Sequence, residues 1–209
     1  MKILKIATIF IITPASALFS TEGELQSRPF FRASQQQPYH LSIGAVLFDQ
    51  KGRVACHHFN EIFGHKDIYI LMRESMEDNE TPLITLHRGL KEEFAATAQP
   101  VAFLGALCGH LSDPRLSFEK TTLYIACQLL NWDPENRDLT DPEAGSTIEW
   151  IEPNTLVSFM EQQGVRLQHR IDTDESEIVR RAIPYIQMRL SQPSDENIQS
   201  RQNPISRET

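Results

Sequence analysis

The sequence has no excess of basic residues. Its 209 residues include 20 Lys and Arg against 28 Asp and Glu, which gives a formal net charge of −8. Sequence-independent binding to nucleic acid needs a basic surface, so this balance argues against nucleic acid as a partner. It does not argue against phosphorylated small molecules, because a bound cation can reverse the local sign of the charge.

Cysteine is also scarce. The chain has three, Cys56, Cys108 and Cys127, and each lies in an apolar run. Their spacing matches no pattern of metal ligands, which argues against a zinc site. The sequence therefore favours three buried structural thiols over a zinc site or a catalytic thiol.

No apolar run is long enough to span a bilayer. Residues 1–17 have two lysines, a short apolar run and an Ala-Ser-Ala exit, the layout of a secretory signal, so we expect a signal-like segment and secretion. The odd cysteine count and the glycosylation sequon at Asn79 favour the alternative, a cytoplasmic protein with an irregular or strand-forming N-terminal extension.

The pattern predicts one domain over residues 39–192. Strands are expected at residues 39–49, 53–59, 67–73, 100–110, 119–130 and 147–152, and helices at 82–96, 153–163 and 174–190. This order is typical of an α+β fold, an α/β/α sandwich around a mixed sheet. Residues 18–38 are expected to form a linker or N-terminal arm, and residues 193–209 a disordered tail.

Residues 74–96 combine an acidic loop with an amphipathic helix. Thr81 can cap the helix, and Pro82 occupies a first position at which its missing N–H has no cost. The predicted loop before them contains four acids: Glu74, Glu77, Asp78 and Glu80. The predicted apolar stripe of the helix comprises Leu83, Leu86, Leu90 and Phe94, with Gly89, Glu92 and Glu93 on another face.

The adjacent acids Glu92 and Glu93 allow two interpretations. Glu is a good helix former, and Arg88 and Lys91 lie close by, so the pair is compatible with a solvated face. Alternatively, the carboxylates bind a hard divalent cation, which prefers several oxygens held by a rigid element beside a loop. Their spacing alone does not distinguish the two.

The whole stretch resembles the Nudix box, G-x5-E-x7-R-E-U-x-E-E-x-G-U, in which U is aliphatic. Matching residues stand at the first Glu, at the Arg, and at the U, E, E and U that follow it: Glu80, Arg88, Leu90, Glu92, Glu93 and Ala96. Three positions depart from the box: Glu74 replaces the first Gly, Gly89 replaces the Glu after Arg, and Ala95 replaces the last Gly.

The resemblance implies a Nudix hydrolase that cleaves a diphosphate linkage in a nucleoside diphosphate derivative or another organic diphosphate, with Mg²⁺ or Mn²⁺ as cofactor. Glu92 and Glu93 would be metal ligands, Arg88 and Glu80 would pair to hold the loop against the helix, and these four form the expected catalytic set. Glu143 is a further candidate ligand or base, because it precedes a strand as an additional acid does in many relatives.

Gly89 departs from the family at a metal-ligand position. A side chain from the loop, Glu74 or Glu77, is one way to supply the missing oxygen. Two alternatives follow from the loss: a catalytically impaired Nudix fold that serves as a ligand-binding or regulatory module, or a different reaction on the same scaffold.

Overall fold

The computed structural model describes residues 38–62, 64–112, 117–168 and 174–191. The predicted signal-like segment, all but residue 38 of the predicted arm, and the predicted tail lie outside the described residues.

Seven strands and three helices make up the described part of the chain. The strands are β1 (Tyr39–Phe48), β2 (Val54–Ile62), β3 (His65–Ile70), β4 (Met72–Ser75), β5 (Ala96–Ser112), β6 (Ser117–Trp132) and β7 (Thr147–Ile151). The helices are α1 (Pro82–Phe94), α2 (Pro153–Arg166) and α3 (Ser176–Ser191). Two short 3-10 turns, Pro134–Asn136 and Pro142–Gly145, interrupt the connection between β6 and β7.

The strands form one mixed sheet. Its main order is β3-β2-β1-β6-β5, with β4 paired to β1 and β7 paired to β2. The β1–β6 pair is parallel, with Ile43 opposite Leu123, and the other pairs are antiparallel. The predicted mixed sheet is therefore confirmed.

Helices cover both faces of the sheet. On one face, α1 buries Leu86, Leu90 and Phe94 against β1 residues such as Ile43 and Leu47. On the other face, α2 and α3 bury Leu156, Met160 and Ile178 among others. The two separate cores confirm the α/β/α sandwich and leave the acidic stretch on the α1 side.

Helix α1 begins as predicted and ends one position before a strained residue. The Thr81 hydroxyl accepts a hydrogen bond from the backbone N–H of Ile84 at 3.3 Å, and Pro82 is the first helical residue. Ala95 ends the helix in the left-handed conformation, with φ of 50°. Glycine adopts this conformation without strain, which gives a physical reason for the glycine of the box at this position.

Three predictions need correction. Glu74 was expected in a loop, but it lies in β4 opposite Ile43, because the chain pairs with β1 before turning toward α1. Leu83 was expected in the apolar stripe of α1, but it is half exposed, as is Ile84, because the buried face of the helix begins only at Thr85. Cys108 is exposed on β5, whereas Cys56 and Cys127 are buried as predicted.

The strands of the β5–β6 hairpin are longer than expected. The predicted loop began at His110, but β5 continues to Ser112 and β6 begins at Ser117. His110 is half exposed on the hairpin, where its ring lies 2.7 Å from the Ser117 hydroxyl and 3.0 Å from Glu119. Among the described residues, no helix is both long and apolar enough to cross a membrane.

Candidate active site

Arg88 fastens the acidic loop to helix α1. Its Nε and Nη2 donate to the two carboxylate oxygens of Glu80 at 2.7 and 2.8 Å, and Nη2 also donates to the carbonyl of Ser75 at 2.8 Å. The hydrogen bonds from Arg88 lower the pKa of Glu80 to about 2, with further bonds from the Glu77 backbone and the Thr85 hydroxyl. The predicted Arg88–Glu80 pair is thus present as a bidentate clamp.

Three carboxylates converge next to this clamp. Glu74 from β4, Glu92 from α1 and Asp141 from the β6–β7 connection each offer an oxygen, and these oxygens lie within 4.8 Å of one another. All three side chains are partly buried. Such a set of hard oxygen donors fits Mg²⁺ or Mn²⁺, which bind carboxylates while keeping several waters.

Gly89 and Glu74 are packed against each other. A Cβ atom added to Gly89 would lie 2.6 Å from Cβ and 3.2 Å from Cγ of Glu74, and 2.9 Å from the sulfur of Met72. The space for a side chain at position 89 is therefore filled by the stem of Glu74. At the two positions where the box has Gly and then Glu, this chain has Glu and then Gly.

Glu93 points into the protein, unlike its neighbour Glu92. Its side chain is only 2% exposed, and its Oε2 lies 2.7 Å from Nε2 of His57, a fully buried residue of β2. Burial and three nearby acids raise the pKa of Glu93 well above its usual range; these acids are Glu143, Glu74 and Asp141. Glu93 therefore lies close enough to the acidic cluster to interact with it, and the solvated-face interpretation does not apply to Glu93.

Hydrogen bonds from Arg137 hold the turn that carries Asp141 and Glu143. The guanidinium donates to the carbonyls of Ser146 and Glu143 at 2.8 and 2.6 Å, and to the Ser146 hydroxyl at 3.0 Å. Burial and a hydrogen bond with Asp141 raise the pKa of Glu143 to about 7. Burial and the neighbouring Asp141 therefore favour the neutral form of Glu143 when no cation is present.

No protein-family model and no curated protein matches the sequence. Solved structures that align with the chain include the following three. A MutT protein from Methanosarcina mazei Go1 is 12% identical over 76% of this chain and 100% of that chain, with a TM-score of 0.45. A NUDIX hydrolase from Nitrosomonas europaea is 15% identical over 75% of this chain and 93% of that chain, with a TM-score of 0.47.

The third, the E. coli ORF135 protein, is 10% identical over 78% of this chain and 100% of that chain, with a TM-score of 0.45. This chain resembles the Nudix hydrolases in its box residues and its order of elements.

The structure distributes the predicted site residues over two layers. Glu80 and Arg88 form the clamp, and Arg88 also reaches Glu92 at 3.2 Å and Glu74 at 3.1 Å. Glu93 is buried under the clamp and contacts His57, and Glu143 lies on the 3-10 turn beside Asp141. The sequence interpretation missed Asp141, His57, Ser146 and Arg137, which no local motif connects to the box.

Proposed function

We propose that this protein is a metal-dependent hydrolase that cleaves a diphosphate linkage in a nucleoside diphosphate derivative or another organic diphosphate. The observation that supports it best is the convergence of Glu74, Glu92 and Asp141 within 4.8 Å, next to the Arg88–Glu80 clamp of the box. Water would attack one phosphorus, the bridging P–O bond would break, and each product would keep a phosphate.

Glu74, Glu92 and Asp141 would hold the cation, with Glu93 and Glu143 as the further ligands that the resemblance implies. When bound, Mg²⁺ or Mn²⁺ offsets the charge that builds on the phosphoryl oxygens. Glu74 supplies the carboxylate that Gly89 lacks, because its stem fills the space above Gly89. In this proposal the Gly and Glu of the box have exchanged positions while a carboxylate is kept at the site.

The chain's own residues then keep the carboxylates in place. Arg88 forms ion pairs with Glu80, Glu74 and Glu92. Its guanidinium group thereby connects the loop, strand β4 and helix α1. Positioning of this kind is the main contribution that a protein makes to phosphoryl transfer.

One observation favours a second candidate function, a module that binds a diphosphate ligand without hydrolysing it. Nη1 of Arg88 already lies within 3.2 Å of both Glu74 and Glu92, the acids that would hold the cation. A guanidinium at that position neutralises the two carboxylates and competes with a metal ion for them. In this alternative the protein recognises phosphates without a strongly bound metal.

Incubation with candidate substrates separates the two functions. The protein without residues 1–20 would be mixed with nucleotide sugars, dinucleoside polyphosphates, oxidised nucleotides and prenyl diphosphates, with Mg²⁺ or Mn²⁺. We expect metal-dependent release of phosphorylated products, abolished in Glu93→Gln and retained in Glu119→Gln, a matched change on the exposed hairpin. No turnover, together with ligands that raise the melting temperature, would support the binding module instead.

A further inference from the structure

A fully buried histidine contacts the candidate site from the sheet side. His57 lies on β2, where its Nε2 is 2.7 Å from Oε2 of Glu93. Its Nδ1 is 2.8 Å from the hydroxyl of Ser146, the residue that follows the 3-10 turn of Glu143. One side of the ring therefore meets helix α1, and the other meets the connection that carries Asp141.

Burial leaves this ring with a single hydrogen on nitrogen. Desolvation, assisted by Arg137 and Arg73, lowers the pKa of His57 to about 3, so the imidazole is neutral. With a cation bound, Glu93 would be ionised and could only accept hydrogen bonds, which would place the ring hydrogen on Nε2. Nδ1 would then accept, and the Ser146 hydroxyl, 2.8 Å away, can rotate to donate to it.

Ser146 in turn is bound to the turn of Glu143. Its hydroxyl donates to the carbonyl of Glu143 at 2.8 Å and accepts from Arg137 at 3.0 Å. Arg137 also donates to the same carbonyl at 2.6 Å. His57 therefore contacts a hydroxyl that is itself held by the turn.

We propose that His57 is a positioning residue that joins Glu93 on α1 to the turn of Asp141 and Glu143, and so fixes the spacing of the carboxylates that receive the cation. This inference rests on the proposed function, because it concerns the same site. Residues that hold metal ligands in place from behind typically contribute about 10–100-fold to metal affinity. His57 has this relation to Glu93, with an imidazole supporting a carboxylate.

Neighbouring His58 gives a matched control. It follows His57 on β2, lies on the opposite face of the sheet, and contacts Glu149 at 2.6 Å instead of Glu93. His57→Phe suits the pocket sterically, since the ring already packs against Phe94 and Phe59 with centroids 4.7 and 6.1 Å away. His57→Gln retains an N–H that can donate to Glu93.

The test is titration of the full chain with Mn²⁺, in which the electron paramagnetic resonance signal of the free ion measures how much Mn²⁺ remains unbound. We expect His57→Phe to weaken Mn²⁺ binding about 10–100-fold, His57→Gln to recover most of that loss, and His58→Phe to bind like the unmodified protein. Rescue by Gln distinguishes positioning from a general effect on folding.

Two results overturn the proposal in different ways. If His57→Phe binds Mn²⁺ as tightly as the unmodified protein while Glu92→Gln does not, the role of His57 is wrong and the metal site remains. If the unmodified protein binds no Mn²⁺, both this inference and the proposed function fail.

Nitrogen NMR of the unmodified protein tests the same proposal without a substitution, should His57→Phe fail to fold. In the Mg²⁺-containing sample, in which Glu93 would be ionised, we expect the hydrogen on Nε2 and a bare Nδ1. A hydrogen on Nδ1 in the Mg²⁺-containing sample would overturn it, because Nε2 then has no hydrogen to donate to an ionised Glu93.

Discussion

Two buried glutamates, one on each face of the sheet, have opposite surroundings. Glu175, 1% exposed, accepts hydrogen bonds from the backbone N–H of Leu71 at 2.7 Å and from the hydroxyl of Tyr124, and lies 3.7 Å from the guanidinium of Arg73. Glu93 has neutral His57 as a partner and lies near three other acids, Glu143, Glu74 and Asp141. The two side chains are buried to a similar degree, but Glu175 faces hydrogen-bond donors and a guanidinium group, whereas Glu93 lies near other acids.

In the proposed function, this difference separates a structural carboxylate from a functional one. Donors of the protein itself surround Glu175, and it links the start of α3 to the sheet. Glu93 instead lies near other acids, and burial together with these acids raises its pKa well above the usual range. A cation from solution would offset the charge of these acids and favour the ionised form of Glu93, which fits a site on the α1 side of the sheet.

The largest expected effects come from neutralising each glutamate in turn. Glu175→Gln should lower the free energy of unfolding by about 2 kcal/mol or more, because charge-assisted hydrogen bonds are lost. Glu93→Gln should leave stability within about 1 kcal/mol, because burial already favours the neutral form that the amide imitates, and should lower kcat at least about 100-fold.

Urea unfolding and turnover of both variants check this prediction. The comparison would be broken if Glu93→Gln proved the more destabilising change, or if Glu175→Gln lost activity while remaining folded.

The exchange at positions 74 and 89 is expected to have the next largest effect. Gly89→Glu alone should destabilise the protein by about 1–3 kcal/mol, because its Cβ would overlap the stem of Glu74. Glu74→Gly combined with Gly89→Glu should recover stability and retain Mn²⁺ binding, while Glu74→Gly alone should weaken the binding. Thermal unfolding and Mn²⁺ titration of the three variants measure this, and equal stability of the single and double variants at position 89 would contradict the exchange.

Residue 74 also shows where the sequence was informative and where it was not. Helix α1 was predictable because its signals are local: a capping Thr81, Pro82 and an apolar period that ends at Phe94. The neighbourhood of Glu74 was not, because it depends on β4 pairing with β1 and on a connection that brings Asp141 from 67 positions away. His57 is 36 positions from Glu93, and nothing in its apolar strand predicts that contact.

Glu80 provides a third carboxylate for the comparison, because the guanidinium of Arg88 neutralises its charge. Its pKa is lowered to about 2, below that of an unfolded glutamate. The stability it contributes is therefore complete above about pH 4.5 and is lost as the pH falls toward 2. Urea unfolding between pH 6 and 2.5 should show a less steep acid dependence in Glu80→Gln, whereas parallel curves for the two proteins would refute the clamp.

The smallest effect is expected at Ala95, two residues after Glu93. Its left-handed conformation costs a non-glycine residue about 1 kcal/mol, so Ala95→Gly should raise the free energy of unfolding by a similar or smaller amount. Mn²⁺ affinity should not change, because the carboxylates keep their positions. Thermal unfolding and metal titration check this, and a gain in affinity without a gain in stability would show that the helix end, not the carboxylates, limits the site.

The central claim is that Glu74, Glu92 and Asp141 receive a divalent cation. Anomalous diffraction from crystals soaked in Mn²⁺ tests it most directly. We predict a peak between these three carboxylates, with Arg88 displaced from at least one of Glu74 and Glu92. Crystals without such a peak, in which Arg88 still bridges Glu74 and Glu92, would contradict the claim and favour the binding module.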